Sequence, residues 1–162
     1  MRGRRARKFA AIKPGIWESR KFRDGSVHAK LVAIYLMSNP HYLMVGIYRL
    51  PLYFVMKDTG LSDEMVQSAL QELIELGFCR YDDVTEVVWV EDMALSQVSE
   101  RPNAKQQVGV LNELARLHFD HEYPFVQEFM DKYRARYSFL PESLEELLGG
   151  DHLENGNVQD YT

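Results

Sequence analysis

The only local concentration of side chains that could bind a metal ion lies at residues 118–122, which read His-Phe-Asp-His-Glu. Histidines three residues apart on a helix can share one metal ion. No third ligand stands nearby at a recognisable spacing, and Pro124 follows where a helix should end. Because metal sites demand a defined ligand set and geometry, the segment is more typical of a solvated helix end. We therefore predict no metal site.

The other nucleophiles and bases lack the companions that catalysis needs. Cys79 follows Phe78 at the start of a predicted strand, where a free cysteine is usually a small buried hydrophobe. His28 and His41 have no serine or carboxylate at the spacing of an activated nucleophile. The sequence has no glycine-rich phosphate-binding loop either. We therefore expect neither an enzyme nor a cofactor, but a protein that binds macromolecules.

Charge is distributed unevenly along the chain. The net charge is −5, yet residues 1–30 contain ten Lys or Arg and two acidic residues. The first 30 residues therefore carry about +8 and the remainder about −13. Residues 1–14 lack apolar periodicity and are predicted to form a disordered basic arm. The arm suits contact with a polyanion such as DNA, and a solubilising tail would have the same composition. Its candidate contacts are Arg2, Arg4, Arg5, Arg7 and Lys8.

The residues after the arm predict a mainly α fold with a small β-hairpin wing. Helical spacing of apolar residues predicts a helix that follows Ser26 and ends at Asn39-Pro40. A short strand at residues 46–50 precedes helices at 51–59 and 63–76, which Gly60 and the N-cap Ser62 separate. β-rich runs at 78–81 and 87–90 then predict a hairpin. This order of elements is that of a winged helix-turn-helix domain over residues 15–93.

A helical extension is predicted beyond that domain. Residues 94–104 are polar, as in a linker, and apolar periodicity predicts helices within 105–148 at 105–119, 124–137 and 141–148. Residues 149–162 are predicted to be a disordered acidic tail. Phe125, Phe129 and Tyr133 form an apolar stripe. Because such a stripe buries against another surface, we predict that it binds a partner protein or a second copy of the chain.

The helix at 63–76 occupies the position of a DNA-recognition helix. Gln67 and Gln71 on its outer face could read adenine. The same face carries four carboxylates and no Lys or Arg, which is unfavourable for phosphate contacts. Two interpretations stay open: the helix is a scaffold, which its charge favours, or the glutamines read bases while other residues anchor the DNA. Glu72 and Glu75 could instead contact a basic partner protein.

Residues outside that helix supply the other candidate contacts. Four basic residues could anchor DNA, although a solvated rim would also contain them: Arg20, Lys21, Arg49 and Arg80. Four aromatic residues could belong either to the core or to a stacking surface: Trp17, Tyr48, Tyr53 and Trp89. We favour the core for all four, because the strands of a wing pack one face inward.

Several short sequence motifs between residues 15 and 118 occur in the same order as in a known family. They are Gly15–Phe22, Ala29–Leu36, Asn39–His41, Gly46–Pro51, Gly60–Ser62, Val66, Ala69-Leu70, Glu72-Leu73, Gly77 and Val88–Val90. As an ordered set they resemble the N-terminal winged-helix domain of phage replisome organisers. The resemblance implies a phage or prophage protein of replication initiation that binds origin DNA. It also implies recruitment of the host helicase, or of its loader, through the C-terminal part.

Two hypotheses of function follow. The first is a DNA-binding accessory protein of phage replication initiation, with a homodimer as one form of assembly. The alternative is a phage-encoded interaction module or DNA mimic that regulates a host protein through its acidic surface. A transcriptional regulator is a third reading, and it would require a dimer and a palindromic site. A single cysteine, the lack of a signal peptide and the lack of a long apolar run predict the bacterial cytoplasm and no membrane partner.

Overall fold

The computed structural model describes residues 9–121 and 124–150, without the side chains of residues 119–121. The described residues fall into two compact units, Phe9–Gln97 and the residues from 98 onward. The chain is mainly helical with one small three-stranded antiparallel sheet. At this level the predicted fold class is confirmed.

The N-terminal unit contains five helices and three strands. A 3-10 turn at Pro14–Glu18 leads into them. The helices are α1 (Arg20–Arg23), α2 (Val27–Ser38), α3 (Leu52–Thr59), α4 (Asp63–Glu75) and α5 (Ala94–Gln97). The strands are β1 (Ile47–Arg49), β2 (Cys79–Asp82) and β3 (Val87–Val90).

The sheet has the order β1-β3-β2, so the last strand lies in the middle. Ile47 pairs with Trp89 on one side of β3, and Cys79 pairs with Val90 on the other. All four residues of β3 are buried. The sheet therefore joins the short strand between α2 and α3 to the hairpin that follows α4.

The junction between α2 and β1 is held by a buried polar network around Asn39. Its amide nitrogen donates to the Tyr48 hydroxyl at 2.8 Å and to the Tyr35 carbonyl at 3.0 Å. Its amide oxygen accepts from the His41 backbone at 2.9 Å. The Tyr48 hydroxyl in turn donates to the Leu36 carbonyl. Because a buried polar group without a partner is costly, this network fixes how α2 ends and where β1 begins.

Helices α3 and α4 are joined by a tight turn. Gly60 ends α3 in the left-handed conformation, at φ 76°. The Ser62 hydroxyl then accepts a hydrogen bond from the Met65 backbone at 3.3 Å and caps α4. Valine, alanine and leucine side chains on the inner face of α4 are buried, and its outer face is exposed to solvent.

Residues 9–14, which we expected to belong to a disordered arm, are held against the N-terminal unit. The Tyr42 hydroxyl donates to the Phe9 carbonyl. The Gln97 amide donates to the Ala11 carbonyl at 2.9 Å, and Lys13 Nζ donates to the Leu95 carbonyl at 2.8 Å. The predicted linker also differs from the structure at its start, where residues 94–97 form α5.

The second unit contains α6 (Ala104–His121), α7 (Val126–Tyr133) and α8 (Leu144–Gly149), with α7 and α8 each packed on α6. Helix α7 is shorter than the predicted 124–137, and Gly149, expected in the tail, ends α8. The predicted apolar stripe lies here. Phe129 and Tyr133 are buried, with ring centroids 4.8 Å apart, and Phe125 is half-buried. The stripe therefore packs within the second unit, where we had predicted contact with a partner.

Two glycines with positive φ allow a matched test of the fold. A Cβ at Gly46 would lie 2.6 Å from the Val90 carbonyl oxygen, whereas a Cβ at Gly60 would meet no atom within 4 Å. Gly60→Ala should cost roughly 1–2 kcal/mol for its left-handed backbone alone. Gly46→Ala should cost about 2 kcal/mol more, because the side chain clashes with β3. Urea unfolding of both variants checks this; equal losses would show that Gly46 is not in close contact with β3.

Candidate nucleic-acid interface

The candidate DNA contacts separate into those that the structure places and those that it does not. Arg2, Arg4, Arg5, Arg7 and Lys8 lie outside the described residues. Arg20 and Lys21 lie on α1, directly after the 3-10 turn. Lys21 Nζ is 2.8 Å from the Asp92 carboxylate, so part of its charge is already neutralised. Both basic side chains therefore lie on the segment that leads into the fold.

Arg49 and Arg80 lie on the two outer strands of the sheet. Arg49 pairs in register with Val87, and Arg80 with Trp89, so the two arginines flank β3 two residues apart along it. The Arg49 guanidinium forms an ion pair with Glu86. The Arg80 guanidinium lies 5.7 Å from the centre of the Trp89 ring. The sheet thus brings these two predicted anchors into one neighbourhood.

The turn of the β2–β3 hairpin is acidic. Asp82 accepts hydrogen bonds from the Thr85 hydroxyl and, at 2.9 Å, from the Thr85 backbone. These bonds hold the pKa of the Asp82 carboxyl below its usual range. Asp83 and Glu86 are close by in sequence, and Glu86 has a positive φ of 55°. Because this turn carries carboxylates and no Lys or Arg, it is unfavourable for phosphate contacts.

Helix α4 presents Gln67 and Gln71 to solvent, as predicted. Gln71 donates to the Glu75 carboxylate at 3.0 Å, one turn further along. Met65 is also exposed on this helix. The outer face therefore offers two amides and an apolar side chain among carboxylates, without a cation of its own.

Glu72, which we predicted as a partner contact, has a local role in the fold. Its carboxylate accepts from the Ser26 backbone and from the Ser26 hydroxyl, each at 2.7 Å. These bonds lower the pKa of Glu72, and Lys30 contributes a smaller effect. Ser26 itself caps α2 by accepting from the Ala29 backbone at 3.1 Å. Glu72 therefore ties the outer face of α4 to the start of α2.

The four candidate aromatic residues divide evenly between core and surface. Tyr48 and Trp89 are buried, as we expected. Trp17 is 61% exposed and Tyr53 is 64% exposed, so our prediction that they belong to the core was wrong. Trp17 follows Pro14-Gly15 in a segment without apolar periodicity, and this pattern is the signal that could have placed it on the surface.

A cleft of about 250 Å³ lies in the N-terminal unit beside the 3-10 turn. Its walls are largely apolar, and Ile16, Phe78 and Met93 are among them. Lys13 and Lys21 are its basic lining residues. Lys13 belongs to the predicted basic arm, and the structure places it at this cleft.

Cys79 is buried at the start of β2, in agreement with its predicted place in the core. Burial raises the pKa of its thiol to about 12. The side chain is therefore protonated at neutral pH, a state in which cysteine is a poor nucleophile.

The contact between Glu72 and Ser26 predicts a pH-dependent stability. A carboxyl whose pKa is lowered by folding stabilises the native state above its unfolded pKa of about 4.3. That contribution disappears as the pH falls through the lower, folded pKa. Glu72→Gln should therefore lower the free energy of unfolding by about 1 kcal/mol at pH 7, and the difference from the unmodified chain should shrink as the pH falls below the unfolded pKa and through the folded one.

The matched control for this experiment is Glu75→Gln, which alters only the exposed contact with Gln71. Urea unfolding at several pH values measures both variants. A Glu72→Gln loss that does not change with pH would mean that the Glu72 charge does not stabilise the fold.

Among residues 9–118 and 124–150, no three His, Cys, Asp or Glu side chains are grouped so that they could hold a metal ion. Within the same part of the chain, every helix is too short or too polar to cross a membrane. No protein-family model, curated protein or solved structure matches the chain.

Proposed function

We propose that the N-terminal unit is a winged helix-turn-helix domain and that the chain is a DNA-binding accessory protein of phage or prophage replication initiation. The observation that carries the fold proposal is the sheet order β1-β3-β2, combined with the element order α2, β1, α3, α4, β2, β3. In a winged helix the short strand after the first helix pairs with the returning strand of the hairpin. The register of β1 on β3 supports that arrangement.

The geometry of α3 and α4 supports DNA as the ligand. In helix-turn-helix domains the second helix enters the major groove, and its N-terminal residues reach base edges. Here Gly60 and Ser62 confine the connection to a tight turn, and Gln67 lies on the exposed face near the start of α4. Gln67 and Gln71 are the side chains on that face that could read adenine.

Electrostatics assign the phosphate contacts to other elements. Because α4 offers no cation, affinity depends on the arm, on Arg20 and Lys21, and on the two arginines of the sheet. The ion pairs Lys21–Asp92 and Arg49–Glu86 are exposed, and exposed pairs contribute only about 0–1 kcal/mol. A phosphate oxygen can therefore replace either carboxylate at small cost.

The replication context comes from the resemblance of residues 15–118 to phage replisome organisers, and with it the bacterial cytoplasm as the site of action. In this proposal the second unit recruits a replication protein. Because Phe129 and Tyr133 are buried, that contact uses the outer surfaces of α6 to α8.

Removal of residues 1–8 should weaken binding to duplex DNA and flatten its dependence on salt. Each lost phosphate contact lowers the slope of log affinity against log salt by about 0.9 for duplex DNA. Arg49→Ala combined with Arg80→Ala should lower the slope further. Fluorescence anisotropy over a salt series measures these effects.

The truncation begins at Phe9 because residues 9–13 are held by Tyr42, Gln97 and Leu95. Lys132→Ala, on α7 in the other unit, removes one positive charge away from the proposed site and should leave the slope unchanged. Undetectable binding of the full chain to duplex DNA at low salt would end the DNA-binding proposal.

A second candidate function rests on the carboxylates of α4. They support an interaction module, or a DNA mimic, that binds a basic protein. Glu72 is a poor probe of that idea, because its loss weakens the fold. Glu64→Lys with Glu75→Lys reverses the charge of the face without touching the Ser26 contact.

On this alternative, the doubly reversed variant should lose any basic protein that the unmodified chain retains in a pull-down from host lysate. The control is Glu142→Lys with Glu145→Lys, which makes the same change of charge on exposed residues of the second unit. Identical sets of retained proteins, identified by mass spectrometry, would reject the acidic face as the binding surface.

A further inference from the structure

Trp17 is a large aromatic ring that the fold displays at the surface and holds in place. It lies in the 3-10 turn Pro14–Glu18, which is closed by hydrogen bonds from Ile16 to Lys13 and from Ser19 to Ile16. Its ring contacts Phe22 edge-on, with centroids 5.0 Å apart and planes at 84°. Phe22 is fully buried. The exposed ring is therefore supported by the core and needs little ordering before it binds a ligand.

Cations flank Trp17 on both sides in the sequence, and Glu18 is the one carboxylate between Lys13 and Arg20. Lys13 stands four residues before Trp17, and its ammonium group donates to the Leu95 carbonyl and forms no ion pair within the described part of the chain. Arg20 stands three residues after it, is exposed, and has no ion pair with any residue that the structure describes. The five cations of residues 1–8 are joined to the same segment through Phe9. This charge contrasts with the acidic α4.

An aromatic platform among cations matches one class of ligand. Proteins that bind single-stranded nucleic acid stack bases on aromatic rings and contact the backbone with Lys and Arg. In a duplex the faces of the bases are already stacked on each other, so an exposed ring can stack only on an unpaired base. We infer that residues 13–23 bind single-stranded nucleic acid, with Trp17 as the stacking platform and Lys13 and Arg20 as backbone contacts.

This inference rests on the proposed nucleic-acid binding and names a second ligand, a single strand, at a site separate from α4. For a replication protein such a site would hold an opened strand while the helix-turn-helix holds the duplex. The exposed Tyr53 provides an internal comparison. It lies on α3, where Lys57 and Asp58 offset each other in charge, and the preceding Arg49 is paired with Glu86, so Tyr53 lacks the excess of cations that flanks Trp17.

The test uses the full chain and an oligothymidylate. Fluorescence anisotropy of a labelled oligothymidylate measures the affinity of every variant. In the unmodified chain, quenching of tryptophan fluorescence adds a report on Trp17, because the other tryptophan, Trp89, is only 2% exposed. Trp17→Leu keeps an apolar side chain but removes stacking, and it should weaken binding between about 5- and 150-fold. Trp17→Phe should retain most of the affinity. Tyr53→Leu, the matched control, should change it less than twofold.

A second ligand separates stacking from charge. An abasic strand of equal length offers phosphates without bases, so Trp17→Leu should leave its weak binding unchanged, whereas Arg20→Ala should weaken both strands. Equal affinity of Trp17→Leu and the unmodified chain for oligothymidylate overturns the inference. If the unmodified chain binds duplex but not oligothymidylate, the single-strand site is rejected and the proposed binding of duplex DNA stands. If it binds neither at low salt, the proposed function fails as well.

Discussion

The N-terminal unit depends on the position of strand β3, which is buried along its whole length and paired on both edges. Short strands are not stable alone, so the three-residue β1 and the hairpin support each other. Because β1 leads directly into α3 and β2 follows α4, the sheet holds both ends of the helix pair. The close approach of Gly46 to Val90 lets the chain enter β1 without displacing β3. The sheet thus fixes the position of α4 and of its exposed face.

Some basic side chains of the N-terminal unit form ion pairs with carboxylates, and others do not. Lys21 and Arg49 have carboxylate partners in the fold, whereas Lys13 and Arg20 have none among residues 9–118 and 124–150. The unmatched positive charge therefore accumulates near the N-terminal segment, away from the position where a helix-turn-helix usually reads DNA. A polyanion would be held chiefly by that segment and the arm, and α4 would contribute discrimination between sequences and little affinity.

Local signals predicted most of the fold. Ser26, Asn39-Pro40, Gly60 and Ser62 mark helix ends through capping and backbone sterics, which act over a few residues and can be read from sequence. The contacts that were missed are long-range. Nothing local shows that Glu72 reaches Ser26 or that Lys21 meets Asp92. Residues 9–13 were assigned to the arm because their anchors, Tyr42 and Gln97, are distant in sequence.

The central claim is that nucleic acid is bound by the N-terminal unit through its first residues, its sheet arginines and the start of α4. Amide chemical-shift mapping of the full chain during titration with a duplex carrying a single-stranded overhang tests it most directly. The account predicts shifts concentrated at residues 9–23, at 49 and 80, and at 62–71, with little change from 98 to 150. Shifts confined to residues 98–150, or none at low salt, would contradict it.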